Sequence, residues 1–252
     1  MPYVDVLGHA SYHEVAGAGE PVLMLHGGYC SIENLRSLGD GLIDAYRVHA
    51  PERVGHGRTA DRVGSLSYAG ALAETIAYLD VVGVDSAHVV GFSDGAILGL
   101  MMAMEHPARV RSVVSISANL DPDGFVPAED FARATSAEAS AQIEREYRDL
   151  TPDGPGHEEV IVAKLTRMWE TEPQIKPAQL EAVRAPVLVV VGDRDVIRPE
   201  HTLLISRSIP EAQLAVVPDA GHLVAQDRPA LLGLIVREFL DDVAGGPREL
   251  SE

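Results

Sequence analysis

The hydrophobic pattern switches between two periods along the chain. Short, mostly apolar runs rich in Val occur at Val22–Leu25, Arg47–Ala50, Ala87–Gly91, Val110–Ser117, Pro186–Val191 and Gln213–Val217. Strands covered on both faces lose their in–out alternation, so each run reads as a buried strand. Between the runs lie helix-period segments at Ile32–Tyr46, Tyr68–Val82, Ala96–Glu105, Pro199–Ser208 and Pro229–Val243. In the last of these, Leu231, Leu234, Ile235 and Phe239 fall near helical spacing and are flanked by charges. Strand alternating with helix predicts an α/β domain with a mostly parallel sheet and helices on both faces. Near the start, Tyr12–Leu25 reads as an antiparallel hairpin turning at Gly17-Ala18-Gly19.

One stretch breaks the alternation. From Asn119 to about Arg184 no strand pattern appears, and the segment carries Pro122, Pro127, Pro152, Pro155, Pro173 and Pro177 beside charged helical runs such as Ala137–Leu150. A parallel crossover needs only about a dozen residues. This excess predicts a core domain of residues 1–118 and 185–252 with a helical cap, 119–184, inserted between core strands.

Composition narrows the field without choosing a reaction. The 252 residues are 46% hydrophobic and 23% charged, ordinary for a globular chain. A net charge of −18 repels phosphate backbones and anionic lipid, so neither nucleic acid nor a membrane surface is the expected partner. The single cysteine, Cys30, cannot form an internal disulfide. No signal-peptide pattern opens the sequence, and no apolar run approaches the roughly 18 residues of a membrane span. The expectation is a soluble cytoplasmic protein acting on a small molecule. Its oligomeric state is not readable, and no metal-ligand spacing or cofactor motif is found.

Chemistry enters after the run Ala87–Gly91, which leads into Gly91-Phe92-Ser93-Asp94-Gly95 and then a helix of small and apolar residues. This is G-x-S-x-G in strand–turn–helix context. A sharp turn lifts the serine hydroxyl above the sheet edge, and glycines are needed where the backbone is crowded. Chance yields roughly 0.1 such matches in a chain of this composition, so context adds to the signal. A serine hydroxyl needs a base to become a nucleophile. Two later strands end in Gly192-Asp193-Arg194-Asp195 and Pro218-Asp219-Ala220-Gly221-His222. Open α/β sheets place their sites at such C-terminal strand ends. Serine, acid and histidine thus converge from three loops in the order that this geometry requires.

Four ordered signatures together resemble the α/β-hydrolase fold over nearly the whole chain: His26-Gly27-Gly28, Gly91–Gly95, Gly192–Asp195 and Gly221-His222. The resemblance implies a sheet of about eight strands and a cofactor-free serine hydrolase with Ser93 as nucleophile, His222 as base and Asp195 as the acid. Asp193 is the fallback acid, and Asp219 reads as a loop residue. It also implies an oxyanion hole from the backbone N–H groups of Asp94 and Gly28, with Tyr29 the runner-up. The Ser-Asp-Gly elbow is similar to that of valacyclovir hydrolase-like members, which cleave amino-acid esters. That makes Asp94, with Tyr29 and Trp169, a candidate substrate-binding group, whereas Asp94 otherwise reads as a cap of the helix after the elbow. His26 reads as a hydrogen-bonding prop, His56 as structural, Glu52 as a loop pin and Cys30 as a small buried hydrophobe.

The leading expectation is cleavage of a small or medium ester, thioester or lactone through an acyl-enzyme. The same residues also serve carbon–carbon cleavage of dienoic diketones. Peptidase action on an N-terminal residue, or cleavage of amino-acid esters, is a third possibility. A non-catalytic ligand receptor on this fold is a fourth.

Overall fold

The Val-rich runs form the strands because adjacent residues in each serve opposite faces. Val89 packs into one core and Val90 into another, as do Val113 and Val114, and then Val189 and Val190. The computed structural model describes residues 2–135 and 137–245. Its strands are β1 (Tyr3–Val6), β2 (His9–Ala16), β3 (Glu20–Leu25), β4 (Tyr46–Pro51), β5 (Ala87–Phe92), β6 (Val110–Ile116), β7 (Val187–Gly192) and β8 (Gln213–Val217). They make one sheet in the order β1-β2-β4-β3-β5-β6-β7-β8. The pairs from β4 through β8 are parallel, and only β1–β2 and β2–β4 run antiparallel.

The helices are α1 (Arg36–Asp40), α2 (Tyr68–Val81), α3 (Asp94–Glu105), α4 (Phe131–Ala134), α5 (Ala137–Leu150), α6 (Glu158–Thr171), α7 (Pro199–Ser208), α8 (Val224–Asp227) and α9 (Pro229–Gly245). Helices α2, α3 and α7 bury Leu72, Leu79, Ile97, Leu100 and Ile205 against one face of the sheet. Helices α1 and α9 bury Leu38, Leu232, Val236 and Phe239 against the other. Both faces are therefore covered, as a parallel sheet requires.

Three expectations are corrected. Among the described residues the only antiparallel hairpin of consecutive strands is β1–β2, turning at Leu7-Gly8, both with positive φ. The Gly17–Gly19 segment is no hairpin turn, because β4 lies between β2 and β3. Its glycines instead let the chain pass the entry to β4: a Cβ on Gly17 would sit 2.2 Å from the Tyr46 carbonyl oxygen. The helix expected over Ile32–Tyr46 is a 3-10 turn, Ile32–Leu35, followed by the short α1. Gly39 and Gly41 weaken any continuation, while Ile32, Leu35, Leu38 and Leu42 stay buried on one side. Finally, β8 is an edge strand and half open, with Val216 55% exposed, so its apolar run does not mark burial on both faces.

Between β6 and β7 the described residues form helices and turns, α4 to α6 among them, and no strand of the sheet. These helices meet loops at the C-terminal strand ends. Trp169 of α6 approaches Gly28 after β3, Ile161 approaches Gly55 after β4, and the Ala134 carbonyl accepts the His222 N–H after β8.

Candidate active site

Ser93 joins β5 to α3 at φ +52° and ψ −116°, a strained conformation for a residue with a Cβ. The turn holds because its flanks are glycine. A Cβ on Gly91 would lie 2.2 Å from the Gly95 carbonyl oxygen, and one on Gly95 would lie 2.1 Å from that of Leu25. The Ser93 N–H is tied to the Ile116 carbonyl at 2.8 Å. The hydroxyl is thereby held at the sheet edge, half-buried.

Across the edge, His222 Nε2 lies 3.2 Å from Ser93 Oγ, and its Nδ1 lies 2.8 Å from Asp195 Oδ1. The Asp195 carboxylate is buried, with a side-chain exposure of 1%. Its Oδ1 also accepts the Ile197 N–H at 3.0 Å, and its Oδ2 accepts the Ser117 hydroxyl at 2.5 Å. With the carboxylate accepting at Nδ1, the imidazole carries its proton there and leaves the Nε2 lone pair for Ser93. The ring also packs on Phe92, centroids 5.0 Å apart. Gly221 is required beside it, since a Cβ there would sit 2.0 Å from the Ala134 carbonyl oxygen.

The two other acids sit elsewhere. Asp193 Oδ1 accepts the Ala220 N–H at 3.1 Å and shapes the turn. Asp219 pairs with Arg194 at the surface, 2.6 Å away. Among the described residues no group of three or more His, Cys, Asp or Glu is placed to hold a metal ion.

The expected oxyanion loop lies beside the elbow. A Cβ on Gly27 would be 3.4 Å from Ser93 Cβ, and one on Gly28 would fall 2.4 Å from both Asp94 Oδ2 and Trp169 Cζ2. Asp94 opens α3, so its N–H has no acceptor one turn back in that helix. Its side chain does not cap α3. The hydrogen bonds reaching its oxygens come from Tyr68 Oη at 2.8 Å and Trp169 Nε1 at 3.0 and 3.2 Å. Burial pushes this carboxyl above its ordinary range, and Arg53, Tyr68 and Trp169 oppose that shift. Asp94 thus anchors α6 and α2 to the elbow. Tyr29 turns its side chain away, its hydroxyl donating to Glu158 at 2.5 Å and its ring stacked on Tyr147.

The supporting residues behave as props. Buried His26 is held neutral, well below the usual histidine range. Glu52 receives Arg58 Nη1 at 2.8 Å and fills the space where a side chain on Gly57 would go. Cys30 is buried in the core, and desolvation pushes its thiol up to about 12, so it is no nucleophile at neutral pH. Sequence reasoning missed Ser117 and Arg53, for neither sits in a motif; only the folded chain brings them to Asp195 and to the His26–Gly27 backbone.

With the geometry in place, the family model described as "Alpha/beta hydrolase family" matches residues 22–232. This chain belongs to the alpha/beta hydrolase family. RutD of Azorhizobium caulinodans, provisionally named a carbamate hydrolase, is 25% identical over 96% of this chain and 99% of its own length. The 2-hydroxymuconate semialdehyde hydrolase of Pseudomonas sp. strain CF600 is 28% identical, covering 89% of this chain and 88% of its own. Among solved structures, Est816, titled an N-acyl homoserine lactone degrading enzyme, superposes with a TM-score of 0.80 at 23% identity, over 94% of this chain and all of its own. That last likeness is one of fold. No helix among the described residues is long and apolar enough to cross a membrane.

Proposed function

We propose that this alpha/beta hydrolase is a serine esterase-type enzyme that cleaves a small or medium ester, thioester or lactone through an acyl-enzyme. One observation carries the reading: the continuous relay from Ser93 Oγ through His222 to Asp195, at 3.2 and 2.8 Å. Ser93 Oγ attacks the acyl carbon while His222 Nε2 takes its proton. Asp195 orients the ring and stabilises the imidazolium that forms. The Gly28 and Asp94 N–H groups receive the negative charge developing on the carbonyl oxygen. The intermediate collapses, His222 protonates the departing alkoxide or thiolate, and water then releases the acid by the same route in reverse. The helices of residues 119–184 act as a cap that sets substrate size, with Trp169 as the wall beside Gly28.

The test is a panel of acetyl, butyryl and octanoyl p-nitrophenyl esters with valine and phenylalanine esters, given to wild type and Ser93→Ala. Turnover should fall about a thousandfold or more in the variant. Equal turnover by Ser93→Ala, or equal labelling of it by a fluorophosphonate, sinks the serine mechanism. A preference for the amino-acid esters requires Asp94 to exchange its Trp169 bond for a substrate ammonium. Without that preference, Asp94 remains the anchor of α6.

The likeness to 2-hydroxymuconate semialdehyde hydrolase favours a second reading, hydrolysis of a carbon–carbon bond beside a ketone by the same residues. Bleaching of a coloured dienoic diketone, together with failure on every ester of the panel, decides for it.

A further inference from the structure

Arg53 is a charged residue that the proposed chemistry does not use. It lies at the end of the chain's exit from β4 and is 9% exposed. Burying a guanidinium costs several kcal/mol unless its donors are satisfied. Here both side-chain hydrogen bonds go to backbone carbonyls of one loop. Nη1 donates to the His26 carbonyl oxygen at 2.6 Å and Nη2 to that of Gly27 at 3.0 Å. Asp94 acts on it electrostatically, without a hydrogen bond between the two. A cleft of only about 30 Å³ lies against both residues.

The backbone of Arg53 completes a closed circuit. Its N–H donates to His26 Nε2 at 3.1 Å, which leaves the His26 proton on Nδ1. That Nδ1–H donates to the Gly27 carbonyl oxygen at 2.7 Å. The Gly27 oxygen therefore accepts two hydrogen bonds, one from each side chain. A carbonyl held at both lone pairs cannot rotate without breaking both bonds. The Gly27–Gly28 peptide is trans, the one cis bond among the described residues being Glu172-Pro173. In a trans unit the C=O and the following N–H point in opposite directions. Fixing the Gly27 oxygen on Arg53 thus fixes the Gly28 N–H to face away from Arg53. The charge-assisted bond from Arg53 to the oxygen also polarises the unit and makes that N–H a stronger donor.

We propose that Arg53 is the positioning residue of the oxyanion loop, clamping the His26 and Gly27 carbonyls so that the Gly28 N–H, rather than that of Tyr29, is presented to the reacting carbonyl oxygen. The inference rests on the serine-hydrolase reading for its catalytic consequence, but the clamp itself is a property of the free protein. A neutral side chain of similar length would fill the space but leave the His26 carbonyl without its Arg53 donor and the Gly27 oxygen held by the His26 ring alone. Lysine keeps the charge but presents a point donor rather than a planar fork, so it holds one carbonyl well and not both.

The experiment compares wild type, Arg53→Lys, Arg53→Met and Ser93→Ala on two readouts. The first is kcat and KM on the best ester of the panel. Arg53→Met should lower kcat about a hundredfold with KM changed less than about threefold, the mark of a group felt only in the transition state. Arg53→Lys should recover about tenfold of that loss. The second is the exchange rate of the Gly28 amide hydrogen in the free protein, expected to rise about tenfold or more in Arg53→Met. A kcat within about threefold of wild type in Arg53→Met, while Ser93→Ala is inactive, overturns the proposal. Unchanged Gly28 exchange in both Arg53 variants overturns it whatever the kinetics show. If wild-type turnover survives Ser93→Ala, the serine reading falls and the amide exchange alone decides the clamp. Should Arg53→Met fail to fold, Arg53→Lys carries both readouts, and wild-type values in both overturn the proposal.

Discussion

Ser117 shows how much of the site depends on single residues outside its motifs. It follows β6 at φ +60°, and its hydroxyl donates to Asp195 Oδ2 at 2.5 Å. Asp195 Oδ1 is already shared between His222 and the Ile197 N–H. Without the serine, a buried carboxylate oxygen loses its donor and the carboxylate plane gains freedom to turn. Ser117→Ala should cost about 1.5–3 kcal/mol of stability, the range for a hydrogen bond to a charged group. It should also lower kcat by about tenfold at similar KM, because Asp195 steers the imidazole rather than the substrate. Urea unfolding and steady-state kinetics check the two parts separately. A wild-type urea midpoint and kcat would show that Ile197 and His222 alone hold the carboxylate. In the sequence, Ser117 is only the last residue of a Val-rich run. Its role depends on Asp195, 78 positions away, and no local pattern encodes that pairing.

At the scale of elements, the strand–turn–helix of the elbow makes a sharp contrast between two glycines of α3. A Cβ on Gly95 would meet the Leu25 and His26 carbonyl oxygens at 2.1 and 2.7 Å, rigid backbone on a central strand and the loop after it. A Cβ on Gly99 would meet the Val113 and Val89 methyl groups at 3.2 Å, contacts that a small rotation relieves. Gly95→Ala should therefore fail to give a folded, soluble protein. Gly99→Ala should shift the urea midpoint little, since strain offsets the roughly 1 kcal/mol gained in helix propensity. Comparable stability of the two variants would mean that α3 can move away from β3. The same reasoning separates what was legible in the sequence from what was not. The parallel strands β4 to β7 and the helices α2, α5, α7 and α9 are written in local periodicity, because each is long or buried on both faces. The Ser93 and Asp195 loops were legible because each follows such a strand, whereas the His222 loop follows the half-open β8. The β1–β2 hairpin was not, being short and partly exposed, so its pattern lacks contrast. The insertion of β4 between β2 and β3 is a choice of long-range pairing, and Gly17 reports it only once the neighbouring Tyr46 backbone is known.

For the whole molecule, acidity acts in two opposed directions. The chain carries a net charge of −18, and protonating surface carboxylates as pH falls relieves self-repulsion. Buried Glu52 and Asp94 and half-buried Glu74, all pushed upward by desolvation, take up protons more readily when folded and shift stability the same way. Buried histidines work against them. His56 is held neutral, its value pulled down from 6.5 to about 3 by burial first and by Arg53 second. Its Nδ1 meets the Val54 carbonyl at 2.9 Å, while Nε2 is buried with no hydrogen-bond partner among the described residues. His49 is drawn down to about 4, again chiefly by burial. For such a group the unfolded chain binds a proton below pH 6.5 and the folded chain does not, so stability is present above that value and is lost as pH falls toward 3 or 4. The total curve mixes these terms, but a variant separates one of them. In His56→Gln the amide replaces the ring without titrating. From pH 7 to about pH 5.5, wild type should lose about 1 kcal/mol of unfolding free energy relative to His56→Gln. Urea titrations of both proteins across that range measure the difference directly. Parallel curves would mean that His56 takes its proton in the folded state as easily as in the unfolded one. The loop between Glu52 and Asp61 would then be open to water, and the Arg53 environment next to it would be far less dry than its burial implies.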